Sequence, residues 1–429
     1  MVKGLENTPA KKPSRWQFFR RKPRLPVDKR RALIAWYVVI GAGIFTPLFY
    51  LIIGSDHPLV IKSFPDPFVF NNGTRVRLES DWVARRAEIK DLLLGTEYGT
   101  MPGRPDRINV TETSTIDLGG GRTLHAVTLT VVPSNATPAV SFNFTAWIYV
   151  PSGTGPFPAV VKVGRDGDGF NVPAMERGYL LACYDNKELD PDTEGYDTDG
   201  PAQVAYPGHS WGSVAVWAWG AMRLADYLLG EPWVNTGTAH VPSIDPAILA
   251  ITGHSRRGKA ALLAGALDER FTMTVPSGSG CGGAGSFLVL GPACETIATM
   301  TSSTLYKAWF KEDFGRFAWN EAQLPFDQHF LRALVAPRLM LSTDALDDFW
   351  ANPVGTQAVY DASMPVFDFL NALTRNGIHY RDGGHDQTLD DFGVLLDFAD
   401  KMLRGIARDG DFYMRPFSFT APVNYAAPA

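Results

Sequence analysis

The chain has 429 residues, 45% of them hydrophobic and 20% charged, which is enough for one large α/β domain or two medium ones. Its net charge of −5 argues against a general nucleic-acid-binding protein, which would need a basic surface. Three cysteines are too few for a disulfide scaffold and wrongly spaced for a zinc site, although Cys281 and Cys294 would be able to pair in an exported protein.

The N-terminal region is basic and then uncharged. Residues 1–31 are rich in lysine and arginine, and residues 32–53 form a run of 22 residues without a charge. That length predicts a transmembrane helix, and the basic flank predicts a cytoplasmic N-terminus. We therefore predict a basic tail, a single-pass signal anchor at 32–53, a linker at 54–67, and one domain at 68–429 that is extracellular, lumenal or periplasmic. A cleaved signal peptide is the alternative.

Four Asn-x-Ser/Thr sequons follow the predicted anchor, at Asn72, Asn109, Asn135 and Asn143. If the source is eukaryotic, they indicate a glycosylated domain beyond the membrane. Asn143 is the least suited of them, because it lies in a predicted strand.

Strands and helices alternate along the domain. In chain order the patterns predict a helix at 81–94, strands at 122–132, 141–150, 157–163 and 179–184, a helix at 214–229, strands at 248–252 and 271–275, mixed helices up to residue 334, a strand at 337–342, a helix near 354–373 and a strand at 378–381. The first two strands predict an antiparallel pair. The later alternation predicts a doubly wound, mostly parallel sheet with helices on both faces, an α/β fold.

The segment 253–259 (GHSRRGK) joins the predicted strand 248–252 to an Ala/Leu-rich helix. A strand–turn–helix with Ser255 at the turn predicts a nucleophile elbow, in which backbone amides point at developing negative charge. Gly253 and Gly258 suit a close backbone approach, although the spacing is G-x-S-x-x-G. The alternative is an ordinary βα turn of a nucleotide-binding domain.

A literal G-x-S-x-G also occurs at 208–212, with Ser210 at its centre. The preceding residues, 199–207, do not read as a buried strand, so Ser210 has no strand to place it at an elbow. We predict instead that Ser210 caps the following helix.

A serine hydroxyl needs a base to take its proton, and histidine has a suitable pKa. The histidines after Ser255 are His329, His379 and His385. His385 lies in a glycine-flanked loop after the strand 378–381, where the base of an α/β-hydrolase is expected. His379 falls inside the strand and His329 on a helical stretch, so both are predicted to be structural.

The acid that orients His385 should follow the strand 337–342. That segment offers Asp344, Asp347 and Asp348. Their position along the chain does not choose among them.

Together these residues resemble the glucuronoyl esterases, carbohydrate esterase family 15. The elbow of that family reads Gly-Cys-Ser-Arg-x-Gly-Lys, or has histidine before the serine in many bacterial members, as here. Further matches lie at 82–99, 211–220, 279–283, 324–329, 348–353 and 383–385. The resemblance implies an α/β-hydrolase catalytic domain at 68–429, without metal or cofactor. Its substrates would be esters of glucuronic or 4-O-methylglucuronic acid, such as those joining glucuronoxylan to lignin.

Carried over by position, the resemblance implies Ser255 as nucleophile and His385 as general base. It also implies oxyanion stabilisation by Arg256 and three substrate contacts: Lys259 with the uronic-acid hydroxyls, Glu295 with the sugar, and Trp350 in the pocket lining. Lys259 as a solvated helix residue and Trp350 as a core residue are the alternatives.

One position departs from the family. Many members carry the catalytic glutamate in the glycine-rich loop after the next strand, where this chain has Gly278. Some bacterial members have an acid after the later strand instead, in an Asp-x-Trp setting. By that match we favour Asp348, ahead of Asp347 and Asp344.

Two rival functions are open. One is a serine carboxylesterase for other carbohydrate esters, such as acetylated sugars. The other is a non-catalytic, hydrolase-like ectodomain on a membrane. The oligomeric state is open as well.

Overall fold

The structure is a computed structural model that describes residues 58–134, 140–165, 169–192, 199–240, 242–302 and 307–428. The basic tail, the predicted anchor at 32–53 and the Asn135 sequon lie outside the described residues. Within the described ranges, no helix is long and apolar enough to cross a membrane.

Ten of the twelve described strands form one mixed sheet. The strands are β1 (Leu59–Val60), β2 (Arg107–Gly119), β3 (Arg122–Val132), β4 (Phe142–Val150), β5 (Phe157–Val163), β6 (Leu180–Tyr184), β7 (Val234–Asn235), β8 (Ile244–His254), β9 (Met273–Ser277), β10 (Val289–Leu290), β11 (Leu339–Ala345) and β12 (Asn376–Arg381). Their order in the large sheet is β12-β11-β9-β8-β5-β6-β4-β3-β2-β7.

The sheet is parallel in one part and antiparallel in the other. The pairs from β12 through β6 are parallel. The pairs β6–β4, β4–β3 and β3–β2 are antiparallel, and the short β7 lies parallel to β2. The predicted parallel sheet is thus confirmed for its C-terminal part, and the predicted antiparallel pair is β3 with β4. This mixed arrangement is consistent with the α/β-hydrolase fold.

Nine described helices pack around the sheet. They are α1 (Glu79–Leu93), α2 (Asn171–Glu176), α3 (Pro201–Ala205), α4 (Ser213–Leu228), α5 (Arg256–Leu267), α6 (Ile297–Met300), α7 (His329–Ala333), α8 (Pro353–Phe369) and α9 (Leu389–Leu403). Between β9 and β11, where mixed helices were predicted up to residue 334, the described residues form the short strand β10, the helices α6 and α7, and short 3₁₀ turns.

Both faces of the sheet are covered by helices. Neighbouring side chains of one strand point to opposite faces of the sheet, and they pack in two different hydrophobic cores. In β5, Val161 packs with α4 and α5, whereas Val160 packs with α9. A strand that is buried on both faces has no polar side to show, which explains the continuous apolar run of β5. The prediction of helices on both faces is confirmed.

The residues just before the predicted domain boundary pack on the domain. Leu59 and Val60 pair with Leu290 and Val289, and Phe64 is 2% exposed in a core shared with α8. From residue 59 onward, the segment expected to be a linker is therefore part of the folded unit, because it buries an aromatic side chain.

Candidate active site

The nucleophile elbow predicted at 253–259 is present between β8 and α5. Ser255 has φ 57° and ψ −130°, and its amide donates to the carbonyl oxygen of Ser277 over 2.9 Å. A positive φ at a non-glycine residue costs about 1–3 kcal/mol, a strain that clusters at functional sites. A Cβ on Gly253 would lie 2.5 Å from the Arg257 carbonyl oxygen, and one on Gly258 would lie 2.9 Å from that of Gly253. Both glycines are therefore required by the close approach of the backbone.

Three side chains from three separate loops meet at the elbow. His385 Nε2 lies 2.9 Å from Ser255 Oγ, and His385 Nδ1 lies 2.7 Å from Asp348 Oδ2. Asp348 is 3% exposed, and its other carboxylate oxygen accepts the Ala351 amide over 3.2 Å. With Nδ1–H donated to the carboxylate, the Nε2 lone pair faces the serine hydroxyl. This is the geometry of a Ser-His-Asp triad.

The other two aspartates of the segment have different surroundings from Asp348. Asp347 is exposed, and its amide donates to the Gly383 carbonyl over 3.0 Å. Asp344 lies on β11 and is 3% exposed, and neither of its carboxylate oxygens has a hydrogen-bond partner among the described residues. Burial raises the pKa of Asp344 well above its usual value. The structure therefore brings Asp348, and not its two neighbours, to the imidazole.

Arg256 stands directly after the nucleophile and is held in place. Its Nε and Nη2 both lie 2.6 Å from Oδ2 of the buried Asp192, and its guanidinium stacks over Trp309 at 5.6 Å. About a third of the Arg256 side chain is exposed, so a positive charge stays next to the open site. Nothing in the sequence pointed to Asp192, which lies 64 residues before Arg256 and outside every predicted element.

Lys259 is 1% exposed, which excludes a solvated helix residue. Its ammonium donates to the carbonyl oxygens of Ser279 and Cys281 over 2.7 and 2.6 Å, and to Glu295 over 2.5 Å. An ammonium has three N–H donors, and all three are directed at protein acceptors. The expected contact of Lys259 with sugar hydroxyls is therefore not supported by this geometry, in which Lys259 holds the glycine-rich loop to α5.

Glu295 and Trp350 are joined through the backbone. The amide of Glu295 donates to the Trp350 carbonyl over 3.0 Å. Glu295 is 3% exposed, and burial raises the pKa of its carboxyl while Lys259 opposes that rise. Trp350 is 38% exposed, so it is not a core residue.

Comparison with known proteins decides the family. A family model described as glucuronyl esterase, fungi, matches residues 134–371. This chain belongs to the glucuronoyl esterase family.

Two curated relatives carry the name 4-O-methyl-glucuronoyl methylesterase. The one from Podospora anserina is 31% identical over 74% of this chain, and the chain spans 62% of that relative's length. The one from Neurospora crassa is 31% identical over 78% of this chain and 80% of the relative.

Solved structures agree with these relatives. A carbohydrate esterase family 15 glucuronoyl esterase from Caldicellulosiruptor kristjansonii matches with a TM-score of 0.73 and 31% identity, over 86% of this chain and 98% of that one. A mutant glucuronoyl esterase from Sporotrichum thermophile, in complex with methyl 4-O-methyl-β-D-glucopyranuronate, matches with a TM-score of 0.68 and 25% identity, over 85% and 94% of the two chains.

The departure from the family at Gly278 has a structural reason. Gly278 has φ +48°, and a Cβ there would lie 3.3 Å from Asp348 Oδ2 and 3.2 Å from Cε1 of His254. The space beside residue 278 is therefore already taken by the Asp348 carboxylate and the His254 ring. The carboxylate that contacts His385 therefore comes from the loop after β11.

The other serine and histidine residues that the sequence analysis weighed as nucleophile or base have structural contacts. Ser210 Oγ accepts the Thr100 amide over 3.2 Å, and α3 rather than a strand precedes it. The cap of α4 is Gly212, so the prediction that Ser210 caps this helix is wrong. His329 bonds the Pro65 carbonyl and His379 the Asp411 carbonyl, each over 2.8 Å, which confirms their structural roles.

The two cysteines considered for pairing are free thiols in this structure. Cys281 and Cys294 are both buried. The Cys281 thiol donates to the Ser286 carbonyl over 3.0 Å. The thiol therefore belongs to the hydrogen bonds within the glycine-rich loop.

Replacing Lys259 with methionine should destabilise the esterase by about 3–5 kcal/mol, because a buried carboxylate loses its cation and two carbonyls lose their donor. We expect a lower midpoint of urea unfolding, with partial recovery in the double variant K259M/E295Q, which removes the unpaired charge. Lys90→Met, on the partly exposed side of α1, is the matched control. An unchanged midpoint in K259M would contradict the role given to Lys259.

Glu97 is another buried acid, in the helical turn Leu94–Tyr98, which contacts the glycine-rich loop. The hydroxyl of Tyr98 donates to the Gly282 carbonyl over 3.0 Å, and both Glu97 oxygens lie 2.9 Å from Gln328 Nε2. Burial raises the pKa of Glu97 to about 8. The folded protein therefore keeps a proton on Glu97 that the unfolded chain releases near its ordinary pKa of 4.5.

Between pH 4.5 and about 8 the folded state thus binds more protons at Glu97, so stability falls as the pH rises through this window. Glu97→Gln removes this contribution. We expect the melting temperature of E97Q relative to the wild type to rise from pH 5 to pH 8.5, by roughly 1–2 °C for each kcal/mol regained. The surface variant Glu79→Gln is the control, and parallel pH profiles for E97Q and the wild type would contradict the assignment.

Proposed function

We propose that this chain is a serine esterase that hydrolyses esters of glucuronic and 4-O-methyl-glucuronic acid through an acyl-enzyme. The observation that carries the proposal is the Ser255–His385–Asp348 geometry, with its contacts of 2.9 and 2.7 Å at a strained elbow. Support for the uronate substrate comes from the curated relatives and from the relative in complex with methyl 4-O-methyl-β-D-glucopyranuronate.

The reaction begins when Ser255 Oγ attacks the ester carbonyl carbon and His385 Nε2 takes the hydroxyl proton. The carbonyl oxygen becomes an anion, which backbone amides at the start of α5 are placed to stabilise. The tetrahedral adduct then collapses: the bond to the alcohol oxygen breaks, His385 gives its proton to that oxygen, and a uronoyl-serine ester remains. Water next attacks the acyl carbonyl while His385 takes its proton. The bond to Ser255 Oγ breaks, His385 returns the proton to that oxygen, and the uronic acid is released.

The charges around the triad suit both steps. Asp348 keeps the imidazole in the required tautomer and stabilises it when protonated. Arg256 adds positive charge beside the oxyanion, and its double contact with Asp192 limits its movement. Because the pair with Asp192 is preformed, little reorganisation is needed when the anion develops.

In this proposal, Trp350 and Glu295 recognise the sugar. The exposed ring of Trp350 offers an apolar face for the pyranose. Glu295 lies behind it, tied to the Trp350 carbonyl and to Lys259. Lys259 then contributes indirectly, by fixing the carboxylate.

Substrate hydrolysis tests the proposal directly. We expect the chain to release alcohol from benzyl or methyl glucuronate, with a kcat/KM at least tenfold above that for an acetylated sugar. The opposite preference would favour the carboxylesterase alternative. No reaction with either ester, together with no labelling of Ser255 by a fluorophosphonate, would favour a non-catalytic ectodomain.

We also propose that residues 32–53 anchor the chain in a membrane, with the hydrolase domain outside the cytoplasm. The uncharged run behind a basic tail supports this, as does Asn72, an exposed sequon residue in a turn. Membrane fractionation of the whole chain and of a variant lacking 32–53 tests the anchor. Recovery of the whole chain in the supernatant would contradict it.

A further inference from the structure

His254 lies between Gly253 and the nucleophile and packs against the general base. The ring centroids of His254 and His385 are 4.6 Å apart, at an interplanar angle of 47°. The Nδ1 atom of His254 is buried and has no hydrogen-bond partner within the described part of the chain. That nitrogen therefore contributes no hydrogen bond that would hold the His254 ring, whereas the ring is in contact with His385.

The His254 ring stays neutral while His385 changes its charge. Burial, and after it the charge of His385, lower the pKa of His254 to about 4. The charged groups near it are Asp348, Asp386 and Lys162. A neutral ring can pack against His385 in both of its protonation states, whereas a charged ring would oppose formation of the imidazolium.

The loop after β9 leaves room for this ring. A Cβ on Gly278 would lie 3.2 Å from Cε1 of His254 and 3.4 Å from its Nδ1. The His254 ring therefore lies close both to the backbone of Gly278 and to the ring of His385. A side chain at residue 278 would crowd the His254 ring.

We propose that His254 is a positioning residue that holds the imidazole of His385 in line between Ser255 and Asp348. The two hydrogen bonds of His385 orient its Nδ1 and Nε2, but small rotations about χ1 and χ2 can still lengthen or bend them. Contact with a second ring restricts these rotations, which matters because about a third of the His385 side chain is exposed. Small losses of alignment at a catalytic base are costly in rate.

Two substitutions of similar volume test the proposal. His254→Phe keeps a planar ring against His385, and His254→Leu fills the space without one. We expect H254L to lower kcat by about tenfold or more with KM within twofold, and H254F to stay within about threefold of the wild type. The melting temperatures of both variants are measured alongside, so that a loss of fold is recognised.

The proposal rests on the proposed function only in taking Ser255 as the nucleophile. The rate of Ser255 phosphonylation by a fluorophosphonate is therefore measured in the same variants, because it needs the Ser–His pair and no uronate. We expect the phosphonylation rate to decrease in the order wild type, H254F, H254L. Equal rates for all three, or a loss in H254F as large as in H254L, would overturn the positioning role even if the uronate activity is absent. If H254L does not fold, H254F alone decides. A loss of its phosphonylation rate contradicts the proposal, and a retained rate supports it.

Discussion

Replacing Ser255 with alanine is expected to lower kcat for uronate ester hydrolysis by about 10⁴- to 10⁶-fold, because the attacking oxygen is lost and only binding and oxyanion stabilisation remain. KM should change little. The measurement is alcohol release under saturating ester, with the stability of the variant checked by thermal unfolding. Removing the hydroxyl leaves the strained backbone of Ser255 in place, since alanine has the same Cβ.

The chain supplies a matched control for this variant. Ser210 is the centre of the only literal G-x-S-x-G motif in the sequence, yet its hydroxyl oxygen accepts a hydrogen bond from the backbone of Thr100. Ser210→Ala should keep kcat within about twofold of the wild type and cost no more than about 1.5 kcal/mol of stability. Loss of activity in S210A with retention in S255A would reverse the assignment of the nucleophile.

Replacing Asp348 with asparagine is expected to lower kcat by about 10³- to 10⁴-fold, because the asparagine amide favours the wrong tautomer of His385 and gives no charge to the imidazolium. The neighbouring variant Asp347→Asn removes a charge of the same kind on the exposed side of the turn. We expect it to stay within about twofold of the wild type. A larger loss in D347N than in D348N would contradict the triad.

The third aspartate of the segment, Asp344, is expected to affect the stability of the fold and not the rate of hydrolysis. Its carboxyl is buried without a hydrogen-bond partner among the described residues, so Asp344→Asn should leave kcat within a fewfold and leave the unfolding midpoint unchanged or raised. The three aspartates thus separate into one catalytic, one surface and one buried neutral group.

The meeting of Ser255 and His385 could be predicted because the signals for both residues are local. Ser255 is marked by an apolar strand, two glycines and an Ala/Leu helix within some twenty residues, and His385 by glycines after a short strand. The acid could not be chosen in the same way. Three aspartates lie within five residues, and only the fold of the turn Phe349–Ala351 decides which carboxylate is buried beneath His385.

Features that depend on contacts between distant parts of the chain could not be predicted from the sequence. The surroundings of Lys259 depend on Glu295, 36 residues further along the chain, so its burial had no local signal. The strand β2 was missed because most of its residues beyond Val110 are exposed and polar, which removes the apolar alternation. Its regular structure comes from pairing with β3. Family resemblance could supply Asp348 but not the reason for Gly278, which depends on two side chains from other loops.

The central claim is that a uronoyl group passes through an ester bond to Ser255. An aryl ester of glucuronic acid, whose phenol leaves readily, should acylate the enzyme faster than water releases the acid. The release of phenol should then begin with a burst of about one equivalent per enzyme. After acid quenching, peptide mass spectrometry should find one uronoyl mass added to the peptide that carries Ser255. Continued release of phenol with Ser255 unmodified, or with the uronoyl group on another residue, would contradict the claim.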